Sequence, residues 1–314
     1  MPKYLFGPVF SRRIGVSLGV DLVPPKTCSM DCVYCEAGAT TVLSSHRREF
    51  YDTAEIIGEL DEFLSGKPEI DYITFSGAGE PTLHSGIGRI VEFLKGKYPQ
   101  YRICLITNGI LLGSEQMIEE LAGIDLVIPS LDAADDETLA KINRPAAGIG
   151  AEGIVKSLED FRKRSKALFW LEVFVVPGIN DSPESIEAIR KAVIRIRPDK
   201  VQLNSLDRPG TEKWVRKASE AEILPFFRTL EPHVKVEIIG RPAVSAPAIA
   251  AEKLSDKDLE KAVIEIVRRR PCTLSEIASA LSADENRLLP LLRKMTGAGA
   301  IKIEKMPRGV FYKT

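Results

Sequence analysis

Two hydrophobic patterns alternate along most of this chain. Short runs dense in β-branched and aliphatic residues occupy 14–22, 70–76, 101–107, 124–130, 168–176, 200–205 and 234–239. Between them lie stretches whose apolar residues recur every three or four positions, at 55–64, 87–95, 115–121, 154–164, 183–196 and 220–230. The first pattern predicts strands and the second amphipathic helices. A repeating strand–helix order makes neighbouring strands parallel, joined by right-handed crossovers. The expected fold is α/β, a partial (β/α)6 barrel of the TIM type, with a doubly wound sheet as runner-up. Either fold places its chemistry beyond the C-terminal ends of the strands.

The pattern changes after Gly240. Pro242, Pro247 and many alanines lie between 241 and 254, which reads as a linker or a strap closing the barrel. From Ser255 onward the pattern predicts a helix to Arg270 with Leu259, Val263, Ile266 and Val267 on one face. Thr273-Leu274-Ser275-Glu276 is a capping box opening a second helix. A third helix is expected over 284–295, broken or bent near Pro290. Strands at 301–304 and 310–313 would turn at Pro307-Arg308-Gly309. The expected organisation is therefore a barrel over 1–240, a linker over 241–254 and a winged helix-turn-helix domain over 255–314. Residues 255–314 hold twelve Lys or Arg against eight Asp or Glu, a charge of +4 that suits nucleic-acid phosphates but also a peptide or dimer contact.

Composition narrows the class. A 314-residue chain with 44% hydrophobic residues can bury a sizeable core, and a net charge of −1 excludes bulk electrostatics as its organising principle. No apolar run approaches a membrane span and the first residues show no signal-peptide pattern, so a cytoplasmic protein is expected.

Three of the five cysteines crowd into Cys28-Ser29-Met30-Asp31-Cys32-Val33-Tyr34-Cys35. Clustered thiols in a reducing compartment point to metal or redox chemistry. A structural zinc site needs a fourth ligand, and His46, His84 and His233 are scattered. A plain ferredoxin run has two residues in the first gap, whereas this one has three. Three thiolates suit an iron–sulfur cluster with one iron left open to a small molecule, with zinc as the alternative. Cys104 sits in a hydrophobic strand and reads as a small core residue, and Cys272 as a free thiol.

The C-x3-C-x2-C spacing with Tyr34 before the last cysteine resembles the radical S-adenosylmethionine (SAM) superfamily. That resemblance implies one [4Fe–4S] cluster on Cys28, Cys32 and Cys35, with SAM chelating the open iron. It also implies reductive cleavage of SAM to a 5′-deoxyadenosyl radical, and a small electron donor of flavodoxin or ferredoxin type. Ser76-Gly77-Ala78-Gly79-Glu80-Pro81, after the second strand, resembles the superfamily's GGEP motif, with Ala78 in place of its first glycine. Gly77, Gly79, Glu80 and Pro81 are therefore expected at the cofactor, Glu80 at the methionine amino group. Asn108, Ser130 and Asp132 end the next strands and offer polar contacts for SAM. Arg144 in Asn143-Arg144-Pro145 is expected beside a carboxylate or in a surface salt bridge, and Val176 against adenine. Glu172, Gln202 and Asn204 are the substrate candidates. A charged residue inside a barrel is costly unless paired, so Glu172 needs a function or a partner.

Gly7-Pro8-Val9, Ser11-Arg12-Arg13 and Gly19-Val20-Asp21-Leu22 are similar to a prokaryotic radical SAM group related to wyosine synthases. Those enzymes carry a second cluster on extra N-terminal cysteines, and no cysteine precedes Cys28, so wyosine-type ring formation is not expected. Two function classes follow: a radical SAM enzyme acting on RNA or protein delivered by the winged helix, and a non-enzymatic iron–sulfur sensor whose winged helix binds DNA. A sensor has no need for Gly77–Pro81, Asn108 and Ser130 converging on the open iron.

Overall fold

The computed structural model describes residues 3–11, 13–239, 255–281, 283–306 and 309–314. The expected linker at 241–254, the turn at Pro307-Arg308 and Arg12 lie outside the described residues. The first hairpin is β1 (Leu5–Ser11) and β2 (Gly15–Val20), followed by the short β3 (Thr27–Cys28) and β4 (Val42–Leu43). Then come α1 (Thr53–Ser65), β5 (Tyr72–Phe75), α2 (Ile87–Lys97), β6 (Arg102–Thr107), α3 (Glu115–Glu120) and β7 (Leu126–Pro129). The chain continues through α4 (Asp136–Ile142), α5 (Ala151–Arg164), β8 (Leu168–Phe174), α6 (Pro183–Ile196), β9 (Lys200–Asn204), α7 (Glu220–Leu230) and β10 (Val236–Ile238).

The main sheet runs β1-β2-β5-β6-β7-β8-β9-β10. Its strands are parallel from β2 to β10, and β1 joins β2 antiparallel. Spatial order follows chain order, so every crossover advances the same way and the sheet curves without closing, with β1 and β10 as its edges. Six strand–helix units and a final strand give an α/β fold consistent with the expected partial barrel. β1 was not expected, because Gly7-Pro8 interrupts its pattern. An edge strand tolerates that interruption, and its register shifts between Phe6 and Val9.

The sheet's two faces differ in chemistry. Leu18, Ile73, Leu105, Val127, Leu171 and Leu203 join the helices in the main core. The opposite, inner face carries a smaller apolar cluster of Ile14, Tyr72, Cys104, Leu126 and Ile128, which accounts for Cys104 as a packing residue. Above that cluster the inner face turns polar at Glu172, Gln202 and Asn204, all buried.

The C-terminal unit orders α8 (Asp256–Arg269), β11 (Cys272–Thr273), α9 (Leu274–Leu281), α10 (Glu285–Gly297), β12 (Lys302–Met306) and β13 (Gly309–Lys313) around a separate core. β13 lies between β11 and β12, antiparallel to both. Ser255 caps α8, and both halves of the Thr273–Glu276 capping box are formed. α10 continues through Pro290 as a single helix rather than breaking there. Two largely buried ion pairs hold this unit against the barrel. Arg269 Nε meets Asp21 Oδ2 at 2.6 Å. Arg208, 6% exposed, reaches Glu36 at 3.3 Å, Glu276 at 2.6 Å and the Pro271 carbonyl at 3.1 Å. No helix among the described residues is long and apolar enough to cross a membrane.

Candidate active site

The cysteine loop leaves the C-terminal end of β2 and is held from two sides. The segment after α4 zips onto it: Asp31 N–H donates to the Asn143 carbonyl, Val33 N–H to Ile142 and Ala146 N–H to Ser29, with Met30 bridged to Pro145. On the other side the glycine run pairs with it, Lys26 N–H donating to the Ala78 carbonyl and Glu80 N–H to Thr27. Closeness of these strands explains the glycines. A Cβ on Gly79 would stand 2.5 Å from the Thr27 carbonyl and 2.6 Å from Val23. Gly77 has φ of 131°, and its Cβ would strike the Asp21 carboxylate. Both glycines let two chain segments pack together, a role distinct from the expected close approach to a ligand.

Cys28, Cys32 and Cys35 are brought together, partly buried, with amide donors aimed at them. Asn143 Nδ2 lies 3.4 Å from Cys32 Sγ, Asn108 Nδ2 lies 3.7 Å from Cys28 Sγ, and Met30 N–H lies 3.4 Å from Cys28 Sγ. Burial pushes the Cys28 thiol up to about 12, with the Glu80 carboxylate adding to the shift. Burial raises Cys32 and Cys35 as well, and the neighbouring thiols disfavour ionisation of Cys32 further. Free of metal these groups hold their protons, so loading a cluster releases them. Among the described residues no three His, Cys, Asp or Glu side chains converge on a point where one metal ion could sit. A four-iron cluster makes no such demand, because each thiolate takes a different iron. Three partly buried thiols with N–H donors turned towards two sulfurs fit that cluster better than zinc.

Glu80 stands at the end of β5, buried beside Cys28, and caps the short 3-10 turn Pro81–Leu83. Pro81 opens that turn, where its missing N–H costs nothing. Glu80 Oε1 accepts from Thr82 N–H (3.0 Å), Thr82 Oγ1 (2.6 Å) and Thr107 Oγ1 (2.7 Å). Among the described residues Oε2 takes a single donor, Asn108 N–H at 2.8 Å, and keeps capacity for one more. Burial raises the Glu80 carboxyl against the pull of these donors. Asn108 is also committed to the loop through Ser29 Oγ at 2.9 Å. Ser130, half-buried at the end of β7, has no hydrogen-bond partner for its hydroxyl among the described residues.

Asp132 is a hub rather than an open ligand. Its carboxylate accepts the Tyr34 phenol, Asn143 Nδ2 at 2.7 Å and Phe174 N–H at 2.8 Å. Tyr34 lies flat on Phe174, ring centroids 3.8 Å apart. Burial pushes Asp132 up to about 6. Asn143 thereby joins Asp132 to Cys32, a role that the neighbouring Arg144 had obscured in the sequence. Arg144 adopts φ of 45° and pairs with Glu212 at 2.7 Å, so it is a salt-bridge residue as it stands. Val176 is fully buried in the main core and presents no surface to an adenine ring. Glu172 receives the partner its burial demands, an ion pair with Arg13, plus a 3.3 Å bond from Asn204 Nδ2. Arg13 entered the sequence reading only through the Ser11-Arg12-Arg13 resemblance, with no sign of its partner Glu172.

Comparison with known proteins agrees with this fold. The family model for the radical SAM superfamily matches residues 22–192, and the chain belongs to that superfamily. A UPF0026 protein of Methanocaldococcus jannaschii is 30% identical over 98% of this chain and 94% of its own length. A protein of Brachyspira hyodysenteriae named GTPase Obg is 38% identical over 98% of this chain, which spans only 44% of that protein. A probable dual-specificity RNA methyltransferase, RlmN of Flavobacterium johnsoniae, is 29% identical over 74% of this chain and 67% of its own. Among solved structures, a radical SAM methyltransferase from Sphaerobacter thermophilus shares the fold with a TM-score of 0.56 at 16% identity, covering 71% of this chain and 65% of that one. The superfamily fold implies SAM and a [4Fe–4S] cluster, and an enzyme.

Proposed function

We propose that this chain is a radical SAM enzyme with one [4Fe–4S] cluster on Cys28, Cys32 and Cys35 and one open iron for SAM. When bound, the cluster supplies the electron that cleaves SAM, and the 5′-deoxyadenosyl radical then removes a hydrogen atom from the substrate. The observation that carries the reading is the buried thiol loop flanked by two aimed amides and by Glu80, whose Oε2 retains acceptor capacity. Glu80 would take the methionine amino group through that oxygen. Ser130, with its unengaged hydroxyl, is the strand-end group best suited to a polar contact with SAM. Asp132, Asn143 and Tyr34 act as positioning residues: they fix Cys32 and the ring stack.

The helix–strand–helix–helix–strand–strand order after Ser255 supports a winged helix. With its charge of +4, it is suited to carry an RNA substrate to the barrel. The relatives named as RNA methyltransferases favour RNA over protein. A flavodoxin- or ferredoxin-type donor and a reducing, cytoplasmic setting complete the reading. Anaerobic reconstitution, addition of SAM and a strong reductant, and quantification of 5′-deoxyadenosine test it. Product is expected from the native chain and not from Cys32→Ala. Product at the variant's background level, despite a loaded cluster, would overturn the proposal.

A further inference from the structure

The polar part of the inner face forms one level across four strands. Ser130 is bridged to Glu172, Glu172 is in register with Gln202, and Gln202 with Glu237. Most members of this row are satisfied. Glu172 pairs with Arg13 and accepts from Asn204 Nδ2. Glu237 pairs with Lys200 at 2.5 Å and Lys235 at 3.1 Å. Gln202 is the exception. Its amide bonds the Glu237 carboxylate, which only the N–H end can do. Its Oε1 is therefore turned away from that contact, and it has no hydrogen-bond partner among the described residues although Gln202 is only 1% exposed. Folded proteins rarely leave a buried carbonyl without a donor, and such an atom calls for a partner, an ordered water or a bound group.

Building on the proposed SAM site, we infer that this row is a substrate subsite, with Gln202 Oε1 receiving a neutral N–H donor such as a carboxamide or an exocyclic amino group. Proximity to the chemistry is given by the backbone: Leu131 N–H donates to the Glu172 carbonyl at 2.9 Å, and the adjacent Asp132 holds Tyr34 and Asn143 beside the cysteine loop. Neutrality follows from the pairing. Both carboxylates in the row already have cationic partners, so a further buried cation would enter without a counter-ion. The spare capacity at Gln202 is an acceptor, which selects a donor and rejects a group that can only accept. Arg13 holds Glu172 to one side and leaves the amide oxygen as the recognition element.

The test uses full-length, cluster-loaded protein with saturating SAM and two matched probes, benzamide and N,N-dimethylbenzamide. They share a ring and a carbonyl but differ in N–H donors. Benzamide is expected to bind about tenfold more tightly, the effect of one buried hydrogen bond. Gln202→Leu should erase that preference while leaving the SAM dissociation constant unchanged. Equal affinity for the two probes, no binding of either, or a preference that survives in Gln202→Leu would each overturn the subsite. Failure of the native chain to bind SAM would instead strike the cofactor reading, which the probe ratio measured without SAM keeps separate.

Discussion

Replacing Asp132 by Asn separates charge from shape at the hub of the site. Burial lifts this carboxyl from 3.8 to about 6. The folded state therefore holds its proton more tightly than the unfolded chain. Its contribution to stability is complete below 3.8 and is lost as pH rises through about 6. Two pKa units correspond to about 3 kcal/mol, of which about 2 kcal/mol falls between pH 4.5 and 7.5. Asparagine does not titrate, so the stability of Asp132→Asn relative to the native chain should climb by that amount across the range. A second, pH-independent effect opposes it. One amide oxygen serves either Phe174 N–H or Asn143 Nδ2 but not both, and the stranded donor costs about 1–3 kcal/mol. The variant should thus be the weaker protein at pH 4.5 and close to native at pH 7.5. Urea unfolding of cluster-free protein at several pH values measures this difference directly. A flat difference, or one that falls with rising pH, would refute the assignment of Asp132 as a buried carboxylate held against ionisation. In the loaded protein, where the amide oxygen serves Phe174, Asn143 loses the partner that aims its N–H at Cys32 Sγ, and the cluster potential should become more negative.

Gly77→Ala should destabilise by at least about 2 kcal/mol in urea, since its φ of 131° strains any other residue and its Cβ displaces Asp21 from Arg269. Arg208→Met removes the cation shared by Glu36 and Glu276, and should cost about 3–5 kcal/mol of docking, seen as about a hundredfold or more faster proteolysis of the C-terminal unit where cleavage follows undocking. Burial holds His84 down to about 4 against an ordinary 6.5, so its contribution is complete above 6.5 and is lost as pH falls towards 4. His84→Gln should remove at most about 3 kcal/mol of acid sensitivity over that window, read from unfolding midpoints.

Hydrophobic periodicity made the parallel strands and their helices legible, because each buries one continuous face. It missed β1, where Gly7-Pro8 breaks the run, and β11, only two residues long and defined by its partner β13. The cysteine spacing and the strand-end residues Glu80 and Asn108 were legible for a local reason: they occupy fixed places in the strand–loop order. What stayed hidden was pairing at a distance. Tyr34 reaches Asp132 across 98 positions, and Arg13 neutralises Glu172 from the far end of the sheet. In Asn143-Arg144-Pro145 the charged residue drew attention, yet the neutral, buried Asn143 touches Cys32. Gly77 and Gly79 also serve the packing of two chain segments, a purpose that the motif did not reveal.

The central claim is that three thiolates leave one iron open to SAM. Electron–nuclear double resonance of the reduced, reconstituted protein, with SAM carrying 15N in its methionine amino group and 17O in its carboxylate, addresses that iron itself. Hyperfine coupling to both labels is expected, retained in Cys104→Ala and absent in Cys28→Ala. A reduced cluster that shows neither coupling under saturating SAM would contradict the account.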